Sequence, residues 1–306
     1  MAGTPAIRHL FSPAKVNLML SITGLRADRF HDLVSLVAQL DFGDRLTLTA
    51  DPQRGEDCLE CPGHPELEGP DNLVLRAVAA FRQRAGGHLE AATGARHVHI
   101  VLGKAIPAGA GLGGGSSNAA VTLRALNDLA GCPLTASEMA GLASDLGSDC
   151  PLFLQPQPLV MRGRGERLEA LPSAATTALS GRRLLVFKPS FSIGTGWAYG
   201  VMKAADGAMY EPTDVAETRL TRWLEDPADP ARLPLFNSME AAAATKFVAV
   251  PTLLQSLRAD GIACLMSGSG SACFAFVDDG PALEALTARI RSDLGPQAFL
   301  QAARLR

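Results

Sequence analysis

Pro107-Ala108-Gly109-Ala110-Gly111-Leu112-Gly113-Gly114-Gly115-Ser116-Ser117 packs five glycines into residues 109–115, and the alanine-rich run NAAVTLRALNDLAG follows at once. A loop this bare, opening a helix, exposes backbone N–H groups at the positive end of the helix dipole. With no side chains in the way, phosphate oxygens reach that backbone. The hydroxyls of Ser116 and Ser117 add donors or a magnesium ligand. A loop with no ligand has no need of glycine at this density. ARHVHIVLGKAI, just upstream, reads as a strand, so the order is strand, glycine loop, helix. No lysine follows the glycines, which excludes GxxxxGK[ST]. Gly109, Gly111 and Gly114 fit GxGxxG. A dinucleotide fold also wants an acidic residue about 20 residues on, ending a second strand. That region here reads as helix and loop, ending in GCPLTASE.

Outward from the loop, both halves of the chain mix strands and helices. The first 50 residues read as strands, with LVSLVAQLDF and DRLTLTA meeting at a Gly43-Asp44 turn. DNLVLRAVAAFRQRAGG reads as a helix capped by Asp71 or Asn72 and stopped at Gly86 and Gly87. TASEMAGLASDLG opens with a capping box, Thr135 and Glu138. Further on, PLFLQPQPLVMRGRGERLEAL reads as a hairpin and RRLLVFKP as a strand. NSMEAAAATKF and PTLLQSLRADG read as helices, IACLMSGSGSACFAFVDD as strand, glycine turn, strand. PALEALTARIRSDLG and QAFLQAARL read as a last helix and strand. The mixture, without strict alternation, predicts an α+β chain of two domains, 1–155 and 156–306.

Composition removes several function classes. The 306 residues are 47% hydrophobic and 19% charged, with a net charge of −3. That leaves no basic field for nucleic acid or an anionic membrane surface. No apolar run approaches the ~18 residues of a spanning helix. Pro13, Lys15 and Asn17 interrupt the first twenty residues, where a signal peptide needs an apolar core. The expectation is a soluble cytoplasmic protein, its oligomeric state open. Six cysteines in a chain this long read as reduced thiols. Cys58 and Cys61 form a CxxC, but no second ligand pair of similar spacing follows, and His64 alone does not complete a zinc site. They read as two loop thiols, and no metal-ligating residue is assigned.

Three ordered motifs resemble the GHMP small-molecule kinases, the superfamily of galactokinase, homoserine, mevalonate and phosphomevalonate kinases. They are SPAKVNL near the N-terminus, the glycine loop, and LMSGSGSACFAF near the C-terminus, together spanning nearly the whole chain. SPAKVNLMLSITGLRADRFHDLVSLVAQLDFGD, DNLVLRA, LGSDCPLFL and FSIGTGWAY are similar to one branch of that superfamily. Its members use ATP to phosphorylate the 2-hydroxyl of a cytidine diphosphate-linked methylerythritol, on the non-mevalonate route to isoprenoid precursors. The resemblance implies the two-domain GHMP kinase fold, with an active site in the cleft between the domains. A homoserine- or mevalonate-type kinase is the alternative, opposed by Phe30-His31 and FSIGTGWAY. A non-catalytic nucleotide-binding protein would need neither Lys15 nor Asp149.

The same resemblance makes Lys15 the catalytic lysine, where residue type alone gives a solvated edge residue. It makes Asp149 the catalytic base, where a turn or capping aspartate is the plain reading; Asp145 lies inside the preceding helix and does not match. A lysine so placed stabilises charge on the moving phosphoryl group and keeps a nearby carboxylate ionised. A carboxylate accepts the hydroxyl proton. ATP is the implied co-substrate, with Mg²⁺ held by its phosphates, by water and by Ser116 or Ser117. Lys104 and Asn72 match residues that line the nucleotide. Phe30 and Tyr199 are placed as a cytosine sandwich, each contact worth roughly 1–3 kcal/mol, with His31 on the base edge. Asn17 and Thr195 are substrate contacts. Two departures stand out: DRFHDL, with Arg29 and Phe30, replaces the usual DGYHEL, and NSME (237–240) replaces an Asn-Asp run. The second is expected to concern helix packing.

Overall fold

The computed structural model describes residues 5–229 and 232–306; residues 1–4 of the N-terminal run read above lie outside them. The chain is α+β and divides into two compact units interleaved in sequence. Unit 1 is Met1–Ala14, Gly43–Ala108 and Gly113–Pro156; unit 2 is Lys15–Phe42, Gly109–Leu112 and Gln157–Arg306. Strands β1 (Ala6–Leu25) and β2 (His31–Ala50) contribute residues to both.

In unit 1, β3 (Cys58–Glu60) runs parallel to β4 (Val98–Gly103), and β4 pairs antiparallel with the second half of β2, Arg45 opposite Gly103 through Ala50 opposite Val98. Strand alternation sends Leu46, Leu48, Val98, Ile100 and Leu102 into the core. Against them lie α1 (Leu73–Ala85), α2 (His88–Thr93), α3 (Gly114–Leu129) and α4 (Ala136–Leu146). Phe81 of α1 and Leu126 of α3 are fully enclosed there. The caps form as the sequence implies. The Asn72 side chain accepts from the Val74 N–H, and Thr135 and Glu138 close a reciprocal box.

One expected feature is absent. There is no turn at Gly43-Asp44; β2 runs straight through. The glycine marks a close backbone approach instead, since a Cβ there would lie 2.2 Å from the Ser12 carbonyl oxygen.

In unit 2, the first half of β2 pairs antiparallel with β5 (Leu159–Gly163), which makes the expected hairpin with β6 (Arg167–Ala170). A separate antiparallel sheet is built from β7 (Arg183–Lys188), β9 (Cys264–Met266), β10 (Cys273–Phe276) and β11 (Phe299–Arg304), in the order β11-β7-β10-β9. The short β8 (Phe236–Asn237) joins β1 in parallel, Met19 opposite Phe236. Helices α5 (Ser173–Leu179), α6 (Thr195–Ala204) and α7 (Thr213–Glu225) add to the elements read from sequence. Trp223 of α7 is fully buried, so packing rather than propensity holds that helix. Helices α8 (Met239–Ala244), α9 (Ala249–Ala259) and α10 (Pro281–Leu294) place Met239, Leu254 and Ile290 over Phe187 and Met266.

Candidate active site

Lys15 and Asn17 are two residues apart on β1 and so leave the same face of the strand. The Lys15 Nζ donates to Asn17 Oδ1 at 2.6 Å, and the lysine is only 4% exposed. It is therefore no solvated edge residue. Its own backbone N–H donates to the Leu112 carbonyl at 2.9 Å. The next two carbonyls upstream are also engaged: Gly111 accepts from Ser267 Oγ at 3.1 Å, and Ala110 from the Ala272 N–H at 3.0 Å. The lysine, the glycine loop and the SGSGS turn (267–271) thus converge within unit 2.

Two glycines make that convergence possible. Gly111 has φ +79°, and a Cβ on it would meet the Ser267 carbonyl oxygen at 2.3 Å. Gly268 has φ +58°, and a Cβ there would lie 3.4 Å from Lys15 Nζ. Every second residue from Gly109 to Gly113 is left-handed, at +60°, +79° and +71°. Left-handed residues alternating in this way are the backbone pattern of anion-binding concavities. Asn237 of β8 donates to both the Met266 and Gly268 carbonyls, at 2.7 and 2.8 Å. Glu240 accepts from the Met266 N–H. Asn237 and Glu240 of the NSME segment therefore brace the SGSGS turn, a role beyond the helix packing expected of that segment.

In unit 1 the rest of the loop is anchored by a residue that the sequence pattern assigns only to a turn. Asp44 is fully buried. One carboxylate oxygen accepts the N–H groups of Ala105 and Ile106; the other takes the Lys104 ammonium and Asn118 Nδ2. Its one sequence signal is a carboxylate inside the apolar strand LDFGDRLTL. Lys104 is held at the start of α3, where a Cβ on Gly114 would lie 3.2 Å from its Nζ. The two loop serines part company. Ser117 is wholly buried and accepts from Ser12 Oγ at 2.7 Å. Ser116 is half-buried and hydrogen-bonds Cys150. Asp149, half-buried, occupies the turn between α4 and a 3₁₀ turn at Pro151–Leu154, whereas Asp145 is exposed. Burial pushes the Cys150 thiol up to about 11, and the neighbouring Asp149 charge adds to this. Asn72 is committed at both ends of its amide, its Nδ2 donating to the Leu67 carbonyl at 2.7 Å.

The residues assigned to the base form a cluster in unit 2. His31 stacks on Tyr199 with ring centroids 4.6 Å apart, and its Nε2 lies 3.1 Å from the Tyr210 hydroxyl. That spacing leaves no room for a third ring between His31 and Tyr199. Phe30 is 48% exposed, with the Arg164 guanidinium 4.9 Å above its ring, so it is not a core residue. Thr195 opens α6 and bonds Ser269 Oγ at 2.8 Å. Burial, aided by Lys203, holds His31 below its ordinary value of 6.5. A depressed folded value means the contribution to stability is present above pH 6.5 and is lost as pH falls through the folded value. An NMR titration of His31 should have its midpoint below 6.5; a midpoint above it contradicts this environment.

Arg29, standing where glycine is usual, keeps the glycine conformation, with φ +68°. The Arg26 N–H to Phe30 carbonyl bond of 2.8 Å closes the turn around it. Arg29→Gly should relieve about 1–2 kcal/mol of left-handed strain and forfeit about 0.4–1 kcal/mol to the looser unfolded chain. The melting temperature is expected to rise slightly; a fall would show that the turn carries no strain.

The model for the GHMP kinases N terminal domain matches residues 72–155, and that for GHMP kinases C terminal matches 224–295. The chain is 38% identical over 278 residues to a 4-diphosphocytidyl-2-C-methyl-D-erythritol kinase of Synechococcus sp. (strain CC9902), covering 88% of this chain and 87% of the relative. It is 39% identical over 264 residues to the same-named enzyme of Anaeromyxobacter dehalogenans (strain 2CP-1), covering 86% and 78%. Among solved structures, a 4-(cytidine 5'-diphospho)-2C-methyl-D-erythritol kinase superposes with a TM-score of 0.72 at 32% identity, over 97% of this chain and 99% of that one. A homoserine kinase from Cytophaga hutchinsonii reaches the same TM-score at 15% identity, over 98% and 95%, which shows a shared fold alone.

Proposed function

The chain belongs to the 4-diphosphocytidyl-2-C-methyl-D-erythritol kinases of the GHMP kinase family, and on that premise we propose how its residues move a phosphoryl group from ATP to the 2-hydroxyl of that substrate. It is an ATP-dependent small-molecule kinase. The observation that carries the assignment of roles is the buried Lys15 ammonium, held beside Gly268 and tied through its backbone to the glycine loop.

The left-handed glycines and the start of α3 offer N–H donors to the ATP phosphates, and Lys104 adds a cation at that helix start. Lys15 offsets the charge that builds on the transferring group, with Asn17 fixing the direction of its ammonium. Asp149 accepts the proton of the attacking hydroxyl. Mg²⁺ needs few protein ligands when phosphates and water supply the others. Ser116 fits that sparse role, while Ser117 is spent on Ser12. When bound, the ion would neutralise phosphate charge. The proposed setting is the cytoplasm, supported by six free cysteines. Among the described residues no helix is long and apolar enough to cross a membrane.

Phe30 and the His31–Tyr199 pair are the proposed platform for cytosine, Phe30 offering an exposed ring. Phe30→Tyr should be nearly silent because the ring survives. Phe30→Ala should cost roughly 1–3 kcal/mol of substrate binding with ATP affinity unchanged. Calorimetry with each ligand measures both, and unchanged substrate affinity in the alanine variant removes Phe30 from the platform. The function itself is tested with ATP and a panel of the cytidylyl substrate, homoserine and mevalonate. Phosphorylated product is expected from the first alone.

A further inference from the structure

In the parallel ladder of β3 and β4, Cys58 is directly opposite His99, so both side chains leave the same face of the sheet. Glu60, two residues beyond Cys58, shares that face. The intervening Leu59 points into the core, as do Val98 and Ile100 on either side of His99. The Cys58 thiol, a Glu60 carboxylate oxygen and a His99 ring nitrogen lie within 4.8 Å of one another. His99 Nε2 is 2.8 Å from Glu60 Oε1, yet this buried nitrogen has no properly directed hydrogen-bond partner among the described residues. A close N···O contact off the hydrogen-bond axis, with a thiol beside it, resembles two ligands facing a common ion more than a donor facing an acceptor.

We propose that Cys58, Glu60 and His99 form a binding site for a divalent cation of the zinc type. Thiolate sulfur, imidazole nitrogen and carboxylate oxygen are the donors such a borderline-soft ion takes, whereas a hard ion such as Mg²⁺ does not select sulfur. Three protein ligands leave the fourth tetrahedral position to water. Ligand bonds of about 2.0–2.3 Å draw the three side chains closer than they stand here. The ion ties β3, a three-residue strand at the sheet edge, to β4, so occupancy stabilises unit 1. The CxxC spacing itself is not the site. Cys61 is fully buried, and its N–H is bonded to Glu68. Nothing in this proposal depends on the kinase assignment.

Cobalt is the probe. Titrating the metal-free full-length protein with Co²⁺ should give a one-to-one complex, with a near-ultraviolet thiolate-to-cobalt charge-transfer band and the visible bands of a four-coordinate ion. Cys58→Ser should abolish the charge-transfer band. Losing an outer-shell partner already costs about 10–100-fold in metal affinity, so removal of a ligand by His99→Gln or Glu60→Gln should weaken binding by at least about tenfold. Cys132→Ser, at an exposed thiol, should change nothing. Zn²⁺ should displace the cobalt and raise the melting temperature of the wild type but not of Cys58→Ser. Circular dichroism shows whether each variant is folded. No band in the wild type, or one that survives Cys58→Ser, overturns the site and leaves Glu60 and His99 as an ordinary ion pair.

Discussion

Asp149→Asn is expected to lower turnover by about 10²–10⁴-fold, the usual contribution of a positioned proton acceptor, while ATP still binds. Asparagine keeps the size and shape of the side chain and removes its negative charge together with its basicity. Circular dichroism of the variant checks that the turn beside the Ser116–Cys150 hydrogen bond keeps its conformation. Asp145, exposed on α4, supplies the control: Asp145→Asn should leave turnover unchanged. The measurement is steady-state kinetics on both purified variants, with ATP affinity by calorimetry. Near-wild-type turnover in Asp149→Asn would remove it from the chemistry, whatever the status of Lys15.

Gly111→Ala should be the most damaging single-methyl change in unit 2. A left-handed alanine costs about 1–2 kcal/mol. The added Cβ falls on the Ser267 carbonyl, and Gly270 backbone atoms lie 3.2 Å away, so no flexible side-chain end can yield. Overpacking of this kind adds about 1–3 kcal/mol. The sum, about 2–5 kcal/mol, is a large part of the ~5–15 kcal/mol that a folded domain has. Relief by backbone movement would part the loop from the Ser267 turn and displace Lys15, which hangs on the Leu112 carbonyl. Thermal unfolding and ATP titration together test this. An unchanged melting temperature with unchanged ATP affinity would show that the glycine is not required there.

The local signals in the sequence were reliable where one residue acts through its own neighbourhood. The Asn72 cap, the Thr135–Glu138 box and the β5–β6 hairpin each depend on a few adjacent residues, and each forms. Residues that act across sequence distance were not legible. Asp44 reaches 60 residues to Lys104 and 74 to Asn118, and nothing beside it announces either partner. Asn237 braces a turn about 30 residues away, so it reads locally as a helix start. Gly43 signalled a turn because glycine near aspartate usually does; its true constraint is the Ser12 carbonyl on another strand. The aromatic cluster was half legible. Motif likeness singled out Phe30, His31 and Tyr199, but Tyr210 and Arg164 come from other segments and only folding brings them there.

The buried cysteine next to Asp149 also bears on how this enzyme can be targeted by covalent ligands. Its position beside the candidate base makes it look an ideal anchor for an electrophilic warhead. Burial pushes its thiol up to about 11, so it stays protonated at neutral pH, and the nucleophilic thiolate is scarce. An acrylamide or chloroacetamide docked there would meet an inert sulfur, while the exposed Cys132 offers the more accessible off-target. Reversible ligands that engage the Asp149 carboxylate itself are the better starting chemistry.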